Sequence, residues 1–98
     1  MRLVVTFALD AEFAPWRRRH PFQPLAGRAA AGVSMYGAEI GGIGVCAVLT
    51  GIGPVRARAV EPVLAADRPD ACVAAGLAGA LAPSLACGRV VVARGVAD

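Results

Sequence analysis

Lysine is absent from the 98-residue sequence, and aromatic residues make up only 5% of it. The basic excess, a net charge of +3, is therefore carried by arginine alone, partly clustered at Arg17-Arg18-Arg19. A nucleic-acid face interleaves basic with aromatic side chains for base stacking, and no such interleaving accompanies this cluster. The arginines instead fit the C-terminal turn of a helix, where cations meet the negative end of the dipole. Cysteine is sparse. Cys46, Cys72 and Cys87 are too widely spaced for a disulfide framework or a zinc site. They read as buried free thiols, which implies a reducing compartment. The single histidine, His20, has no partner to make it catalytic and reads as a solvated residue. Long apolar runs are missing too. Residues 71–87 carry no charge, but Gly76, Gly79, Pro83 and Ser84 interrupt them, and a membrane span needs about 20 strongly apolar residues. Asp10 and Glu12 arrive too early for the apolar core of a signal peptide. No repeat and no low-complexity tail is present. The expectation is a cytoplasmic protein with no nucleic-acid partner, no membrane partner, no metal and no cofactor.

What is present is apolar. Hydrophobic residues make up 57% of the chain and the mean hydropathy is +0.62. A small domain buries a smaller fraction of its surface, so this content implies a well-buried α/β sheet or a piece that expects more protein around it. One domain, residues 1–98, is expected. Leu3–Leu9 predicts a first strand, rich in β-branched and aromatic residues. Asp10 then fits a helix cap, with Glu12 in the first turn and Phe13 and Trp16 on an apolar side. Residues 21–31 read as a Pro/Gly/Ala connection. Val33–Ile40 and Ile43–Thr50 predict two strands joined by the hairpin signal Gly41-Gly42. Gly42-Ile43-Gly44 through Ala47 fits a loose dinucleotide-binding pattern, but it precedes a strand instead of joining strand to helix, so that reading fails. Pro54 opens a helix with Val55, Ala59, Val63 and Ala66 on one face, and Pro62 kinks or shortens it. Arg68-Pro69-Asp70 stops it. Ala71–Ala75 predicts a strand buried on both faces, and Arg89–Arg94 one more.

Three strand ends carry loops of special composition: Leu9–Glu12, Thr50–Gly53 and Gly76–Gly79. The last is almost bare of side chains, so its amides can approach a ligand closely. In open α/β sheets ligands bind beyond the carboxyl ends of strands. Three such loops on parallel neighbouring strands would set one carboxylate against two backbone-lined walls. Taken singly, each has a blander reading. The glycines are close packing, and Glu12 is a solvated first-turn residue.

The order and spacing of these segments resemble the nucleoside phosphorylase and nucleosidase superfamily, and most of all the methylthioadenosine/S-adenosylhomocysteine nucleosidases. The segments are Ala8-Leu9-Asp10-Ala11-Glu12, the hairpin with Tyr36 and Gly42, Thr50-Gly51-Ile52-Gly53, Gly76-x-Ala78-Gly79-x-Leu81-Ala82-Pro83, and Gly88-Arg89-Val90-Val91-Val92. The resemblance implies the N-terminal portion of a three-layer α/β/α sandwich with a mixed sheet. It implies that Glu12 is catalytic, orienting and deprotonating the attacking water as the N-glycosidic bond of a purine nucleoside breaks. It implies substrate contacts from Leu9 and Ile52 beside the 5′ substituent, from Ala78 and Gly79 against ribose and base, and from Gly53 and Leu77. It also implies a homodimer whose partner loop closes the apolar subsite.

Phosphorylase branches usually carry a Gly-Asp-Pro-x-Arg loop after the first strand, whose arginine grips phosphate. Here Asp10 and Glu12 would repel a phosphate dianion, so hydrolysis is expected over phosphorolysis. Leu77 replaces a serine common in the nucleosidases and Ala80 replaces a glycine. That makes the loop more similar to futalosine hydrolases or hopanoid-associated relatives, and leaves the nucleoside open. Family members are considerably longer, and the resemblance places the ribose-holding Glu and the purine-protonating Asp in the part without a counterpart here. The chain is thus expected to be a fragment or a truncated reading frame, with no useful turnover alone. A non-catalytic α/β module that binds a partner through an open sheet edge is the remaining alternative.

Overall fold

The computed structural model describes residues 1–25 and 33–94. Its centre is a five-stranded mixed sheet in the order β2-β3-β4-β1-β5. Strand β1 (Arg2–Phe7) leads into helix α1 (Asp10–Arg17), followed by the two-residue strand β2 (Gln23–Pro24). Strands β3 (Ser34–Ile40) and β4 (Ile43–Leu49) form a hairpin. Helix α2 (Pro54–Ala57), a 3₁₀ turn (Arg58–Val60) and helix α3 (Glu61–Asp67) then lead to β5 (Ala71–Ala74). Strand β1 pairs in parallel with β4 (Leu3 opposite Val45) and with β5 (Leu3 opposite Ala71). Strand β3 runs antiparallel to β4, with Met35 opposite Val48.

Alternation along the strands sorts the apolar side chains onto two faces. Val5, Phe7, Val45 and Ala47 face α1 and bury Phe13 completely; Trp16, Phe22 and Tyr36 pack around them. Val4, Met35 and Val48 face the other way, against Val33 and against Val63 of α3. Helices thus cover both faces, which is the expected α/β/α layering. The aromatic residues are few but gathered. Phe13 lies 5.4 Å from Phe7, 5.0 Å from Phe22 and 5.2 Å from Tyr36, ring centroid to centroid. Gly41 and Gly42 have φ of +57° and +79°, the tight hairpin turn that their lack of Cβ permits. At the same end of the sheet, where the parallel strands begin, the Arg2 amide donates to Asp70 Oδ2 at 2.7 Å and the Asp70 amide donates back to the Arg2 carbonyl at 2.9 Å. This pair fixes the register at which β5 joins β1.

Several expectations are corrected. The N-cap position belongs to Leu9, and Asp10 is the first residue inside α1. Strand β2 was not foreseen within residues 21–31, because two residues carry no periodicity; residues 26–31 of that connection lie outside the described residues. The helix opened by Pro54 breaks into α2, a 3₁₀ turn and α3. Pro62 has no amide to donate back to Arg58, so the ladder tightens just before it. Of the predicted apolar face, Val63 is buried and Ala59 half-buried, while Val55 is 81% exposed and Ala66 is exposed. Strand β5 is an edge strand, and Cys72, Val73 and Ala74 are exposed. The apolar run showed what the strand prefers to touch, and could not show whether both of its neighbours are present. Residues 89–94 form no strand; Val90, Val91 and Val92 are exposed without a pairing partner among the described residues. The cysteines are free, with Cys46 half-buried and Cys72 and Cys87 exposed, so they are not all core thiols. His20 is half-buried, edge-on to Trp16 at 6.3 Å.

Candidate active site

Parallel β1, β4 and β5 end on the same edge of the sheet, so their three loops meet there, as expected if those strands lie side by side in parallel. The ladder continues past the strand ends. Thr50 and Gly51 amides donate to the Phe7 and Ala8 carbonyls, each at 2.9 Å, and the Ala75 amide donates to Thr6 at 2.9 Å. Thr50, buried among these strands, turns its hydroxyl back to the Gly51 carbonyl at 2.9 Å. Leu9–Glu12 therefore lies between the other two loops.

Glu12 occupies the third position of α1 and is half-buried. Its Oε1 accepts the Leu9 amide at 3.1 Å, satisfying one of the helix's orphan donors. Its Oε2 crosses to the third loop and accepts the Leu77 amide at 2.8 Å. A Cβ at Gly76 would stand 2.8 Å from the same oxygen, closer than packed atoms approach, so glycine lets the carboxylate keep this position and any side chain there would make it shift. The Leu77 amide, then the Leu9 amide, hold the Glu12 carboxyl below its ordinary value of 4.5; partial desolvation opposes them and the Ala8 amide adds to them. Donors aimed at the ionised form favour it. Asp10 is turned aside, its carboxylate paired with Arg17 at 3.0 Å. Arg17 in turn lies over the rings of Phe13 and Tyr36, 5.6 and 5.7 Å from their centroids.

Leu9 is 46% exposed, Ile52 72% and Leu77 86%, and Gly53, Ala78 and Gly79 are also exposed. The described residues thus supply a floor and one fixed carboxylate, open to solvent. Reasoning from the sequence missed the Leu77 amide as the partner of Glu12, and it missed the capping role of Glu12. The second had a local signal, a carboxylate three residues after the N-cap position. The first had none, since 65 residues separate the partners. Among the described residues no cluster of three or more His, Cys, Asp or Glu could hold a metal ion. No helix among them is long and apolar enough to cross a membrane.

A mixed sheet covered by helices, with glycine loops and a carboxylate at the shared carboxyl edge of its parallel strands, defines an α/β protein of the kind that takes small ligands at strand ends. The phosphorylase superfamily model matches residues 2–98, and the chain belongs to that superfamily. The 5′-methylthioadenosine/S-adenosylhomocysteine nucleosidase of S. pneumoniae, solved with the transition-state inhibitor MT-ImmA, superposes with a TM-score of 0.74 at 26% identity, covering 88% of this chain and 37% of that one. The nucleosidase of Neisseria meningitidis, in complex with methylthio-immucillin-A, gives 0.71 at 26% identity over 87% and 36%. The S-adenosylhomocysteine nucleosidase of Streptococcus pyogenes, with 5-methylthiotubericidin, gives 0.74 at 23% over 88% and 36%, a likeness of fold. The chain thus spans little more than a third of the length of these structures. No curated protein matches it.

Proposed function

We propose that the chain forms the nucleoside-binding floor of a purine-nucleoside N-glycosidase, with Glu12 as the residue that readies water. The contact carrying this reading is the Glu12 carboxylate fixed at 2.8 Å from the Leu77 amide on the loop-bearing edge. Breaking an N-glycosidic bond develops positive charge on the ribose, and a carboxylate held ionised stabilises it. A carboxylate has about four acceptor positions. Leu9 and Leu77 use two, which leaves lone pairs for a water proton. As the water oxygen bonds to the anomeric carbon, its proton passes to Glu12 and the glycosidic electron pair leaves with the base. Leu9, Ile52, Gly53, Leu77, Ala78 and Gly79 contact the nucleoside in this reading, and exposed Leu9 and Ile52 call for the cover that a second copy of the chain gives in a homodimer. Support comes from the superfamily match and from the inhibitor complexes of the similar nucleosidases. The test is an NMR titration of the chain with methylthioadenosine. Shifts confined to the three loops support the reading, and shifts elsewhere or none refute it.

Phosphorolysis is the second enzymatic reading, and the Asp10–Arg17 pair favours it, because one of the two carboxylates thought to repel phosphate is neutralised by a partner. Phosphate dependence of the full-length enzyme, with the sugar 1-phosphate among its products, separates it from hydrolysis, which releases the free sugar. The exposed β5 edge favours a third role, strand pairing with another polypeptide.

A further inference from the structure

We propose that Thr50 is a positioning residue of the carboxyl edge: its hydroxyl holds the Gly51–Ile52 peptide so that the Ile52 amide is offered to a hydrogen-bond acceptor on the bound ligand. This rests on the reading of that edge as a nucleoside site. Thr50 is the one buried polar residue among the described residues. Burying a hydroxyl costs free energy unless it is hydrogen-bonded, and a valine of nearly the same shape would fill the space without that cost. What threonine adds is therefore the hydroxyl. It lies 2.9 Å from the Gly51 carbonyl and 3.5 Å from the Phe7 carbonyl, which already accepts the Thr50 amide at 2.9 Å. A hydroxyl has a single proton to donate, and the shorter contact takes it.

The peptide it ties is the one that most needs tying. Gly51 and Gly53, on either side of Ile52, have φ of +88° and +98°, and glycine gives such a segment little conformational preference of its own. Its two ends are anchored by backbone: the Gly51 amide donates to the Ala8 carbonyl at 2.9 Å, and the Gly53 carbonyl accepts the Ala57 amide at 3.0 Å. Between them, the Thr50 hydroxyl is what holds the Gly51 carbonyl. The Gly51–Ile52 bond is trans, so its C=O and N–H point to opposite sides. With the carbonyl turned back onto buried Thr50, the Ile52 N–H points away from it. Ile52 is exposed, and its amide donates to no group among the described residues. The loop thus carries one oriented, unused donor, a single residue beyond the contact that joins it to Ala8 and so to Leu9–Glu12. A donor fixed before binding spares the ligand the cost of ordering it.

The test uses the full chain and compares Thr50→Val, which removes the hydroxyl and keeps the shape, with Thr50→Ser, which keeps the hydroxyl. Without ligand, NMR relaxation is expected to show the Ile52 and Gly53 amides losing order in Thr50→Val and keeping it in Thr50→Ser. In a methylthioadenosine titration, Thr50→Val should bind about fivefold to tenfold more weakly, the effect of misaligning one hydrogen bond, and Thr50→Ser within about twofold of the unsubstituted chain. The Ile52 amide proton should move downfield on saturation. Equal losses in both variants overturn the proposal, and so does a Thr50→Val chain that loses thermal stability alone while its loop order and affinity are unchanged. Circular dichroism verifies that the variants are folded. Should Thr50→Val not fold, the unsubstituted chain decides: a Thr50 hydroxyl proton protected from solvent exchange supports the proposal, and rapid exchange overturns it. The two readings separate cleanly. If methylthioadenosine binds at the three loops and the Ile52 amide does not respond, the Thr50 assignment alone fails. If it does not bind at all, the nucleoside reading fails, and the relaxation contrast between the two variants still upholds or overturns the hold of Thr50 on the peptide.

Discussion

The Glu12 carboxylate accepts the Leu77 amide at 2.8 Å across 65 residues of sequence. It simultaneously accepts the Leu9 amide at 3.1 Å, so one side chain caps α1 and tethers the loop after β5. The group proposed to ready water is thus also a strut between two of the three loops, and substitutions there affect geometry and chemistry together.

Glu12→Gln tests the strut. An amide side chain has one oxygen to accept and an NH₂ that only donates, so one of the two backbone donors loses its partner. Amide hydrogen exchange at Leu77 is expected to accelerate roughly tenfold as its local opening becomes easier. Unchanged exchange at both Leu9 and Leu77 would show that the tether has no energetic weight.

The same contact predicts a pH dependence. The folded-state pKa of Glu12 is depressed below 4.5, chiefly by the Leu77 amide. A depressed carboxyl contributes stability that is complete above its unfolded value and is lost as pH falls through the lower folded value. Leu77 exchange protection, corrected for intrinsic rates, should stay flat from neutral pH down to about 4.5 and fall only in stronger acid. Protection lost between pH 7 and 5 would contradict the assignment.

Gly76→Ala probes space instead of charge. Its Cβ would stand 2.8 Å from Glu12 Oε2, so the carboxylate or the loop must shift. The expected result is loss of Leu77 protection and weaker nucleoside binding with the core intact, read from exchange and from the methylthioadenosine titration. Gly79→Ala, with nothing within 4 Å of the added carbon, is the control that leaves protection in place.

Phe13→Ala addresses the core. Phe13 is fully buried and contacts four aromatic rings. Truncating a buried Phe costs about 3–5 kcal/mol, a large share of a small domain's total of about 5–15 kcal/mol. Denaturant titration should show that loss or outright unfolding.

The chain by itself should not cleave methylthioadenosine at a useful rate. Its candidate contacts Ile52 and Leu77 are 72% and 86% exposed, and a reacting centre this open keeps its water and leaves electrostatic stabilisation screened. Chromatographic detection of adenine at enzyme-like rates would refute this.

Much of this was decided locally. The β-branched and aromatic composition of Leu3–Phe7, the Gly41-Gly42 turn and the proline opening α2 each specify backbone conformation within a few residues, so β1, the hairpin and the helix start were legible in the sequence. So was the meeting of three loops, once the strands ending in them were taken as parallel neighbours. Tertiary structure alone decided the rest. Ala71–Ala74 has the composition of an interior strand and lies at an edge, because pairing depends on which neighbours are in place. Val90–Val92 has the composition of a strand and finds no pairing partner among the described residues, for the same reason. Most of all, the partner of Glu12 was invisible in the sequence: a carboxylate advertises its charge to its own helix, but which distant amide it meets is fixed only when β1 and β5 align in register and bring the two loops together.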